Sequence, residues 1–511
     1  MGDVDITNFT TDLVSEFSKA ILNASFISID LEMSGITFPN QSSDSSAADS
    51  VPLRYHRVSQ VAATFGIIQV GVALFFENTS KVYNFYVFPR PVTEGSVNSI
   101  PLVTLCSAST NFNRTHGMDF DRWISKGVTY VDSETETKLR EAINETSRWD
   151  TLLNGFSIES SITSSEEYTT QLEAISKQVS DFVADENIKT MRVPFVHGGQ
   201  KWLKSILKSI HESYPSLRLI EEVSGGGSCR SLTKKTSDQL LFDYIGFRVI
   251  WSQITAANKP VVFHNGMLDL LFCYNSFESK LPESLSAFKK LVGTLFPAGV
   301  FDTRLIAIES GISSAALETL AELFRDDPAF ATTVVDSDTY SAGGCKIHEA
   351  GFDALMTGQV FKALQQREPN FMDWKNQLCV NRCLWVLSLD NLETDRLMLD
   401  IGKTRIARII NDINPNSNTR DVLAVFEDLK NIISGIAVNI QWISDTAGVL
   451  VFTWSQPADK TIDSITVQIN AKLIEIVKSN GKIKISTPNE YIKKQMDEIH
   501  EETLISKRFR M

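Results

Sequence analysis

The first regular pattern in the sequence is a helical spacing of apolar residues followed by an alternation of apolar and polar ones. Over residues 11–33 it predicts a helix and then a strand at 25–33, in which polar and apolar residues alternate from Ile27 onward. Two more β-rich runs, 65–76 and 82–89, are separated by a turn-like segment. Three strands after one helix predict a mixed α/β sheet.

The pattern changes near residue 150 and changes back near residue 240. Residues 151–239 contain polar segments, a Gly-Gly-Gly-Ser run and one clear helical pattern at 201–214. From 240 to 366, helix and strand patterns alternate again, as they do in the first 150 residues. We therefore predict an α/β domain formed by residues 1–150 and 240–366 and split by an inserted subdomain at 151–239.

A different order of elements follows in residues 380–488. An apolar run at 383–389 predicts the first strand, and after it come a helix at 420–433, two strands, a second helix and a last strand. This β-α-β-β-α-β order predicts a ferredoxin-like α+β domain of the kind that RNA-recognition modules use. Residues 489–511 are expected to form a charged tail.

Composition excludes several classes of protein. The 511 residues carry 49 Lys and Arg against 62 Asp and Glu, a net charge of −13, so bulk charge would not hold the chain on nucleic acid or an anionic membrane. The six cysteines include no Cys-x-x-Cys pair, which is typical of reduced cysteines inside the cell. No apolar stretch reaches the roughly 18 residues that a membrane helix needs. We expect a soluble protein of the cytoplasm, the nucleus or both, with no membrane partner.

Four acids and one histidine are candidates for chemistry. Asp30 and Glu32 are two apart in the first strand, so their carboxylates leave the same face of it. Asp269 lies in the first turn of an apolar helix, where an acid needs a partner. His348 precedes Asp353 by five positions at the entry to another apolar helix. Residues five apart do not share a helical face, so the imidazole would approach the acids from a different side than Asp353 does. Taken singly, each has an ordinary explanation: a strand end in solvent, an acid at a helix dipole, a surface histidine.

Taken in order, the five residues resemble the DEDDh class of 3′-to-5′ exonucleases. Four runs make the resemblance closer: Ile-Asp-Leu-Glu-Met-Ser-Gly-Ile at 29–36, Phe-His-Asn at 263–265, Phe-Asp-Thr-Arg-Leu at 301–305 and His-Glu-Ala-Gly-Phe-Asp at 348–353. They look like the poly(A)-specific ribonuclease family, which also includes small-RNA 3′-end trimmers. The resemblance implies an RNase H-like nuclease domain, with a mixed sheet flanked by helices. It also implies an inserted nucleic-acid-binding subdomain, a following RNA-recognition-like domain and a homodimer.

The resemblance also assigns roles to the candidate residues. Two Mg²⁺ ions about 3.5–4 Å apart, for which Mn²⁺ can substitute, would be held by four carboxylates: Asp30, Glu32, Asp269 and Asp353. His348 would take the proton from the attacking water. Asp302, in the Asp-Thr-Arg run at 302–304, is another acid next to a helix of the site, but the family does not use it as a metal ligand. We assign it to structure or to positioning Arg304.

Contacts with RNA follow from the same resemblance, at Met33, Ile36, Phe112 and Arg304. The family often has an aromatic residue at the position of Met33, so we expect base stacking there to be weaker. The insertion lacks the family's Arg-x-x-x-His signature, since Arg192 and His197 are five apart. We therefore expect a degenerate relative of the family's nucleic-acid-binding insertion.

Two tryptophans of the C-terminal region have separate interpretations. Trp385 falls at the aromatic position of an RNP2-like run, whereas Ala447 and Val449 occupy the positions at which an RNP1 strand exposes aromatics, so ordinary sheet-face reading of RNA is not expected. Trp442 aligns with the tryptophan that stacks on a 7-methylguanosine cap in the family's deadenylases. It could equally close the core of the domain, and cap binding stays open.

These patterns predict a Mg²⁺-dependent exoribonuclease that degrades or trims the 3′ ends of single-stranded RNA, whether poly(A) tails or small non-coding RNAs, and releases 5′-mononucleotides. One alternative is a DEDDh deoxyribonuclease, which only contact with a ribose 2′-hydroxyl would distinguish. The other is a catalytically silent RNA-end-binding or adaptor protein. Loss of a metal ligand would favour it, and here all five residues are present.

Overall fold

The fold comes from a computed structural model that describes residues 2–38, 50–94, 97–145, 148–158, 160–224, 227–310, 312, 315–335, 346–381, 383, 385–392, 395–397, 405–411, 437–444, 447–453, 462–480 and 484–486. Within those residues the largest sheet has seven strands, in the order Asp3–Val4, Thr79–Tyr86, Ile67–Phe75, Phe26–Met33, Val261–Phe263 and Val300–Asp302, with Thr333–Val334 beside Thr79–Tyr86. Strands Phe26–Met33 and Ile67–Phe75 are antiparallel, whereas Val261–Phe263 runs parallel to Phe26–Met33. The sheet is therefore mixed, as the sequence predicts.

Helices occupy most of the chain between these strands. Their bounds are Thr11–Asn23, Val51–Thr64, Ser107–Thr115, Phe120–Lys126, Ser133–Glu145, Ser237–Ile245, Arg248–Ala256, Met267–Cys273, Leu285–Leu295, Thr303–Glu309, Leu317–Phe324 and Ala350–Arg367. A π-helical turn, a 3-10 turn and a small hairpin complete this part: Tyr274–Glu278, Phe371–Trp374, and Val92–Glu94 with Val97–Ser99.

Apolar clusters cover both faces of the sheet, which is why strand Ile67–Phe75 is buried at every position. The larger of the two apolar clusters contains the odd-numbered residues of strand Phe26–Met33, such as Ile29 and Leu31. They pack there with residues of helices Thr11–Asn23 and Met267–Cys273, and we call this group the larger core cluster. Phe26 packs on the opposite face, against helix Ala350–Arg367. The alternation seen in the sequence thus separates two cores.

Helix Ala350–Arg367 lies unusually close to the sheet, and two glycines permit the approach. A Cβ on Gly71 would lie 1.8 Å from the carbonyl oxygen of Ala350, and one on Gly358 would lie 2.0 Å from the ring of Phe75. Gly71 is also the register partner of Asp30. The start of the helix is therefore brought directly over the acidic residues of the central strand.

Residues between Trp149 and Leu232 bury their apolar side chains in a cluster of their own. Helices Glu166–Ala184 and Gly199–Ser213 both contribute to this cluster. The second of them corresponds to the helix that the sequence predicts at 201–214. The other elements of this segment are the helices Arg148–Leu153 and Ser160–Thr163 and an antiparallel sheet of Thr190–Arg192, Gly227–Thr233 and Arg218–Ser224. A separate core is what an inserted subdomain requires.

The C-terminal strands form two sheets, and this corrects the predicted first strand of the ferredoxin-like domain. One sheet is antiparallel and runs in the order Ala437–Ser444, Ala447–Thr453, Arg405–Asn411 and Lys484–Ser486, with helix Ile462–Asn480 preceding the last strand in sequence. Its first strand in sequence is therefore Arg405–Asn411 and not the apolar run at 383–389. The predicted helix at 420–433 and the predicted tail at 489–511 lie outside the described residues.

The run at 383–389 does contain a strand, Trp385–Ser388, but it belongs elsewhere. It pairs with Gln377–Cys379 and Arg396–Leu397 in a three-stranded sheet. Trp385 is 2% exposed and packs in the larger core cluster of the nuclease domain, so it is not an RNA-facing aromatic. An apolar run predicts burial but does not say in which core, and here the nearer core takes it.

The apolar pattern of residues 241–257 predicts one helix, which the structure interrupts at Gly246. Helices Ser237–Ile245 and Arg248–Ala256 meet there, with φ of +47° at the glycine. A Cβ at this position would lie 2.0 Å from the carbonyl oxygen of Thr129. The glycine thus marks a turn packed against neighbouring backbone.

Candidate active site

Strand Phe26–Met33 presents Asp30 and Glu32 on the face that helix Ala350–Arg367 covers. Both side chains are partly buried, whereas the intervening Leu31 is in the larger core. On the same face the hydroxyl of Ser28 donates a 2.7 Å hydrogen bond to the carbonyl oxygen of Ala354, which fixes the helix on the strand. The predicted common face of the two carboxylates is confirmed.

Asp269 enters the site from helix Met267–Cys273, and its position depends on Asp302. The Asp302 side chain is fully buried and accepts hydrogen bonds from the backbone N–H groups of Asn265, Gly266, Arg304, Leu305 and Cys379. It thereby caps helix Thr303–Glu309 and holds the loop that leads to Asp269. Asp302 has the structural role that the sequence analysis assigned to it.

Asp353 and His348 lie at the start of helix Ala350–Arg367. The backbone N–H of His348 donates a 3.2 Å hydrogen bond to Oδ2 of Asp353, and His348 has φ of +67°, an uncommon left-handed conformation for a residue with a side chain. The other carboxylate oxygen, Oδ1 of Asp353, is buried and has no hydrogen-bond partner among the residues that the structure describes. A buried acceptor without a donor is costly, and a bound cation would satisfy it.

Two side chains from the sheet hold the first amides of that helix. Gln69 Oε1 accepts from the N–H of Ala350 at 3.3 Å, and Asn84 Oδ1 accepts from the N–H of Gly351 at 3.2 Å. The helix therefore needs no capping residue of its own at this end. Gln69 and Asn84 were not predicted from the sequence, although a polar residue inside an otherwise apolar strand is a signal of such a role.

Burial raises the pKa of all four acids, and repulsion within the set adds to this for Asp30 and Glu32. Burial raises the pKa of Asp30 well above its usual value, and repulsion from Asp353, Asp269 and Glu32 adds to the effect. Burial likewise raises the pKa of Glu32, with repulsion from Asp353 and Asp269. Burial raises the pKa of Asp269 to about 7, repulsion from Asp302 adds to the shift, and the nearby backbone N–H groups of Asp269 and Leu31 oppose it. Asp30 and Glu32 are thus destabilised when Asp269 and Asp353 are also ionised.

Asp353 and His348 are shifted in opposite directions. Burial raises the pKa of Asp353 to about 7, against the hydrogen bond from His348 and with repulsion from Glu318 and Glu349. Burial and the neighbouring His116 lower the pKa of the His348 imidazole below 6.5, against the attraction of Glu318. Near neutral pH the imidazole is therefore in the unprotonated form that a general base needs.

The donor set fits divalent cations with hard oxygen ligands. One carboxylate oxygen of Glu32, one of Asp353 and a ring nitrogen of His348 all lie within 4.8 Å of one another. Asp30 and Asp269 interact with the same group through the repulsion described above. Carboxylates that repel one another, with one unpartnered buried oxygen, are the chemistry that Mg²⁺ or Mn²⁺ neutralises.

This electrostatic arrangement leads to a stability prediction. Because Asp269 and Asp353 have pKa values of about 7 in the fold against 3.8 ordinarily, the folded state binds more protons than the unfolded state between these values. Without divalent ions, these groups should lower the free energy of unfolding as pH rises through that interval. We expect Mg²⁺ to raise the thermal unfolding temperature more at pH 8 than at pH 5, and Asp353→Asn to raise it in EDTA. An Mg²⁺ effect independent of pH, measured by scanning calorimetry, would contradict the prediction.

Of the residues expected to contact RNA, two are open to solvent beside the site. Ile36 is 54% exposed and Phe112 is 44% exposed, and the Phe112 ring lies 4.8 Å from that of His348, centroid to centroid. Arg304 is partly buried, and its guanidinium donates to the carbonyl oxygen of Ala315. These positions are compatible with an RNA strand entering over Ile36 and Phe112.

Met33 is placed differently. Its side chain is 7% exposed and packs in the larger core cluster, because it lies on the odd-numbered face of the strand. A base has no access to it in this structure, which argues against the expected contact. Trp442 lies in strand Ala437–Ser444, and its side chain is outside the described part of the structure, so the cap-binding and core alternatives both stand.

Comparison with known proteins gives the class. A family model described as CAF1 family ribonuclease matches residues 4–361, a span that contains all five candidate residues. The chain therefore belongs to the CAF1 ribonuclease family, and its mixed sheet agrees with an RNase H-like nuclease fold. A solved structure, S. pombe Pop2p in its Mg²⁺- and Mn²⁺-bound form, is also similar, at 13% identity and a TM-score of 0.38 over 74% of this chain and 97% of that one.

The curated relatives refine the class. The poly(A)-specific ribonuclease PARN of Xenopus laevis is 27% identical over 541 residues, 97% of this chain and 82% of that protein. The pre-piRNA 3′-exonuclease trimmer of Bombyx mori is 25% identical over 390 residues, 70% of each chain. The resemblance stated from the sequence motifs is confirmed, and the activity is that of a 3′-to-5′ exoribonuclease. None of the helices in the described residues is long and apolar enough to cross a bilayer.

Proposed function

We propose that this chain removes nucleotides from RNA 3′ ends in a Mg²⁺- or Mn²⁺-dependent reaction, with the four carboxylates as metal ligands and His348 as general base. The observation that carries the proposal is the convergence of Glu32, Asp353 and His348 within 4.8 Å, among acids whose pKa values are all raised. Perturbed ionisable groups gathered in one cleft are typical of catalytic sites. The CAF1 ribonuclease family assignment supplies the reaction class.

The carboxylates and the imidazole have separate roles in the proposed reaction. Asp30, Glu32, Asp269 and Asp353 would hold the cations, which when bound neutralise the scissile phosphate and favour ionisation of water. His348 takes the proton of the attacking water at a ring nitrogen, since burial and His116 keep the imidazole unprotonated near neutral pH. Its strained backbone and the bond to Asp353 fix the position from which it does so.

The RNA substrate is taken from the relatives and from the mouth of the site. PARN and the pre-piRNA trimmer are named for poly(A) and for small RNA 3′ ends, and both remain substrates to test here. Phe112 is an accessible ring beside His348, and Ile36 is an exposed aliphatic side chain three positions beyond strand Phe26–Met33. A flat ring and an aliphatic side chain accept any base, so they support binding of single-stranded RNA without a strict sequence requirement.

Hydrolysis by this mechanism predicts the products. Water attacks the phosphorus and the P–O3′ bond breaks, so the 3′ oxygen of the shortened RNA leaves and takes up a proton. The phosphate stays on the 5′ oxygen of the released nucleotide, and we expect nucleoside 5′-monophosphates from RNA with a free 3′-hydroxyl. The measurement is chromatography of products from 5′-labelled oligo(A), mixed-sequence RNA and the matching DNA in Mg²⁺. Products with 3′-phosphate or 2′,3′-cyclic phosphate, or cleavage of circular RNA, would refute the mechanism.

The same assay separates the alternatives. Equal hydrolysis of the DNA strand would favour the deoxyribonuclease, and binding of RNA without any product would favour the silent adaptor. The buried Oδ1 of Asp353, which has no donor among the described residues, supports a bound cation, and the presence of all five candidate residues favours the nuclease over the adaptor.

Domain organisation and assembly also remain proposals. The separate core of the 151–239 segment supports an inserted subdomain, and the order of the four-stranded C-terminal sheet is the 2-3-1-4 order of a ferredoxin-like domain when its strands are numbered along the chain. A homodimer is supported by an exposed apolar run beside the site, at Ile100, Leu102, Val103 and Leu105. Sedimentation of the purified protein would test the dimer.

A further inference from the structure

Both ends of helix Ser107–Thr115 are hydrogen-bonded to the backbone at the end of strand Phe26–Met33, which carries Asp30 and Glu32. At its start, the N–H of Cys106 donates a 2.8 Å hydrogen bond to the carbonyl oxygen of Ser34. Near its end, the buried side chain of Asn113 donates a 3.3 Å hydrogen bond to the carbonyl oxygen of Met33. The helix therefore keeps a fixed position relative to the carboxylates of Asp30 and Glu32.

The last turn of this helix presents two rings to His348. The ring centroids of His116 and His348 are 4.3 Å apart at 75°, and those of Phe112 and His348 are 4.8 Å apart at 69°. The His116 and Phe112 rings are themselves 4.2 Å apart. The imidazole of His348 thus packs edge to face against both neighbouring rings.

The orientation of the His116 ring is set by the backbone. Its Nδ1 lies 2.9 Å from the carbonyl oxygen of Phe112. A carbonyl oxygen can only accept, so Nδ1 of His116 carries the hydrogen of this bond. The bond therefore holds the His116 ring in one plane where it meets His348.

His348 needs such support. Its backbone is fixed by Asp353, but among the described residues no hydrogen bond reaches its imidazole ring. A general base has to be held within a few tenths of an ångström of its working position, and packing is then what remains to hold the ring. Phe112 alone does not suffice, because it is 44% exposed and is itself expected to contact RNA.

We propose that His116 is a positioning residue, whose ring restrains the His348 imidazole in the orientation from which it takes the proton of the attacking water. The inference rests on the proposed role of His348. His116 itself touches neither the carboxylates nor, in this proposal, the RNA. No metal-ligand motif or family run singled it out, and the sequence signal is only a histidine at the C-terminal cap of a helix.

The test compares three variants of the full chain. His116→Ala removes the ring, His116→Phe keeps a ring of similar shape, and His56→Ala removes an exposed histidine from another helix as the matched control. We expect His116→Ala to lower kcat roughly 10-fold with KM unchanged, since misplaced catalytic groups cost about one to two orders of magnitude. His116→Phe should return most of that loss, and His56→Ala should match the wild type.

Several outcomes would overturn the proposal. They are a wild-type kcat in His116→Ala, an equal loss in the Ala and Phe variants, and a raised KM with kcat unchanged, which would make His116 an RNA contact. NMR of histidine-labelled protein gives a readout independent of activity, because His116→Ala should broaden or shift the His348 ring signals and His56→Ala should not. If the wild type shows no nuclease activity, the proposed function fails on its own, and unchanged His348 signals would still refute the positioning role.

Discussion

Replacement of any one of the four acids by its amide is expected to abolish RNA hydrolysis and leave the fold intact. The variants are Asp30→Asn, Glu32→Gln, Asp269→Asn and Asp353→Asn. Each removes an anionic oxygen from a site where the cations contribute several kcal/mol of charge stabilisation. At about 1.4 kcal/mol per tenfold in rate, that corresponds to losses of roughly 10³-fold or more.

The fold should tolerate these changes because the acids repel one another in it. The raised pKa values of Asp30 and Glu32 have burial as their largest cause and mutual repulsion as the next, so a neutral side chain of equal size removes a cost. Thermal unfolding in EDTA should therefore show unfolding temperatures equal to or above that of the wild type. A loss of activity accompanied by a large fall in unfolding temperature would instead indicate a structural residue.

A nearby acid outside the set serves as the matched control. Glu318 is exposed and influences both Asp353 and His348 through charge, yet it is not a proposed ligand. We expect Glu318→Gln to keep activity within about threefold of the wild type, because the interaction of an exposed charge is screened by solvent. If one of the four amide variants hydrolysed RNA as Glu318→Gln does, that residue would not be a metal ligand.

The positions of the proposed ligands could be predicted from the sequence because each follows a local rule. Alternation along one strand placed Asp30 and Glu32 on a common face, and the order of elements placed Asp269 and Asp353 at the starts of two helices. What local rules do not contain is the distance between helix and sheet. That distance depends on Gly71, whose missing Cβ lets the carbonyl of Ala350 approach, a contact between residues 279 positions apart that no periodicity indicates.

The errors have the same physical origin. The apolar run at 383–389 does form a strand, but burial of Trp385 in the nuclease core rather than in the C-terminal sheet is decided by tertiary packing. Met33 stays a predicted RNA contact, although its position in the alternation points it away from Glu32 and its side chain is buried in the core. Its expected role came from resemblance, whereas its orientation follows from periodicity.

His348→Ala is expected to lower the rate roughly 10²- to 10⁴-fold, the usual contribution of a general base, while RNA binding is retained. The sign of the pH dependence follows from the pKa. Burial and His116 place the imidazole pKa below 6.5, so wild-type activity should rise with pH through the mildly acidic range and then level off as the base becomes unprotonated. The variant should lose the part of this rise that belongs to the imidazole.

The carboxylates complicate that profile, and Mg²⁺ concentration separates the two contributions. Protons on Asp269 and Asp353, whose pKa values are about 7 in the metal-free fold, compete with the cations, so their part of the rise should move to lower pH as Mg²⁺ increases. The imidazole of a base that binds no metal should respond much less. In His348→Ala, activity should therefore stay low at every Mg²⁺ concentration. Full recovery at high Mg²⁺ would mean that His348 is a metal ligand together with Glu32 and Asp353. This is the main alternative to a general base, because a ring nitrogen of His348 lies within 4.8 Å of a carboxylate oxygen of each.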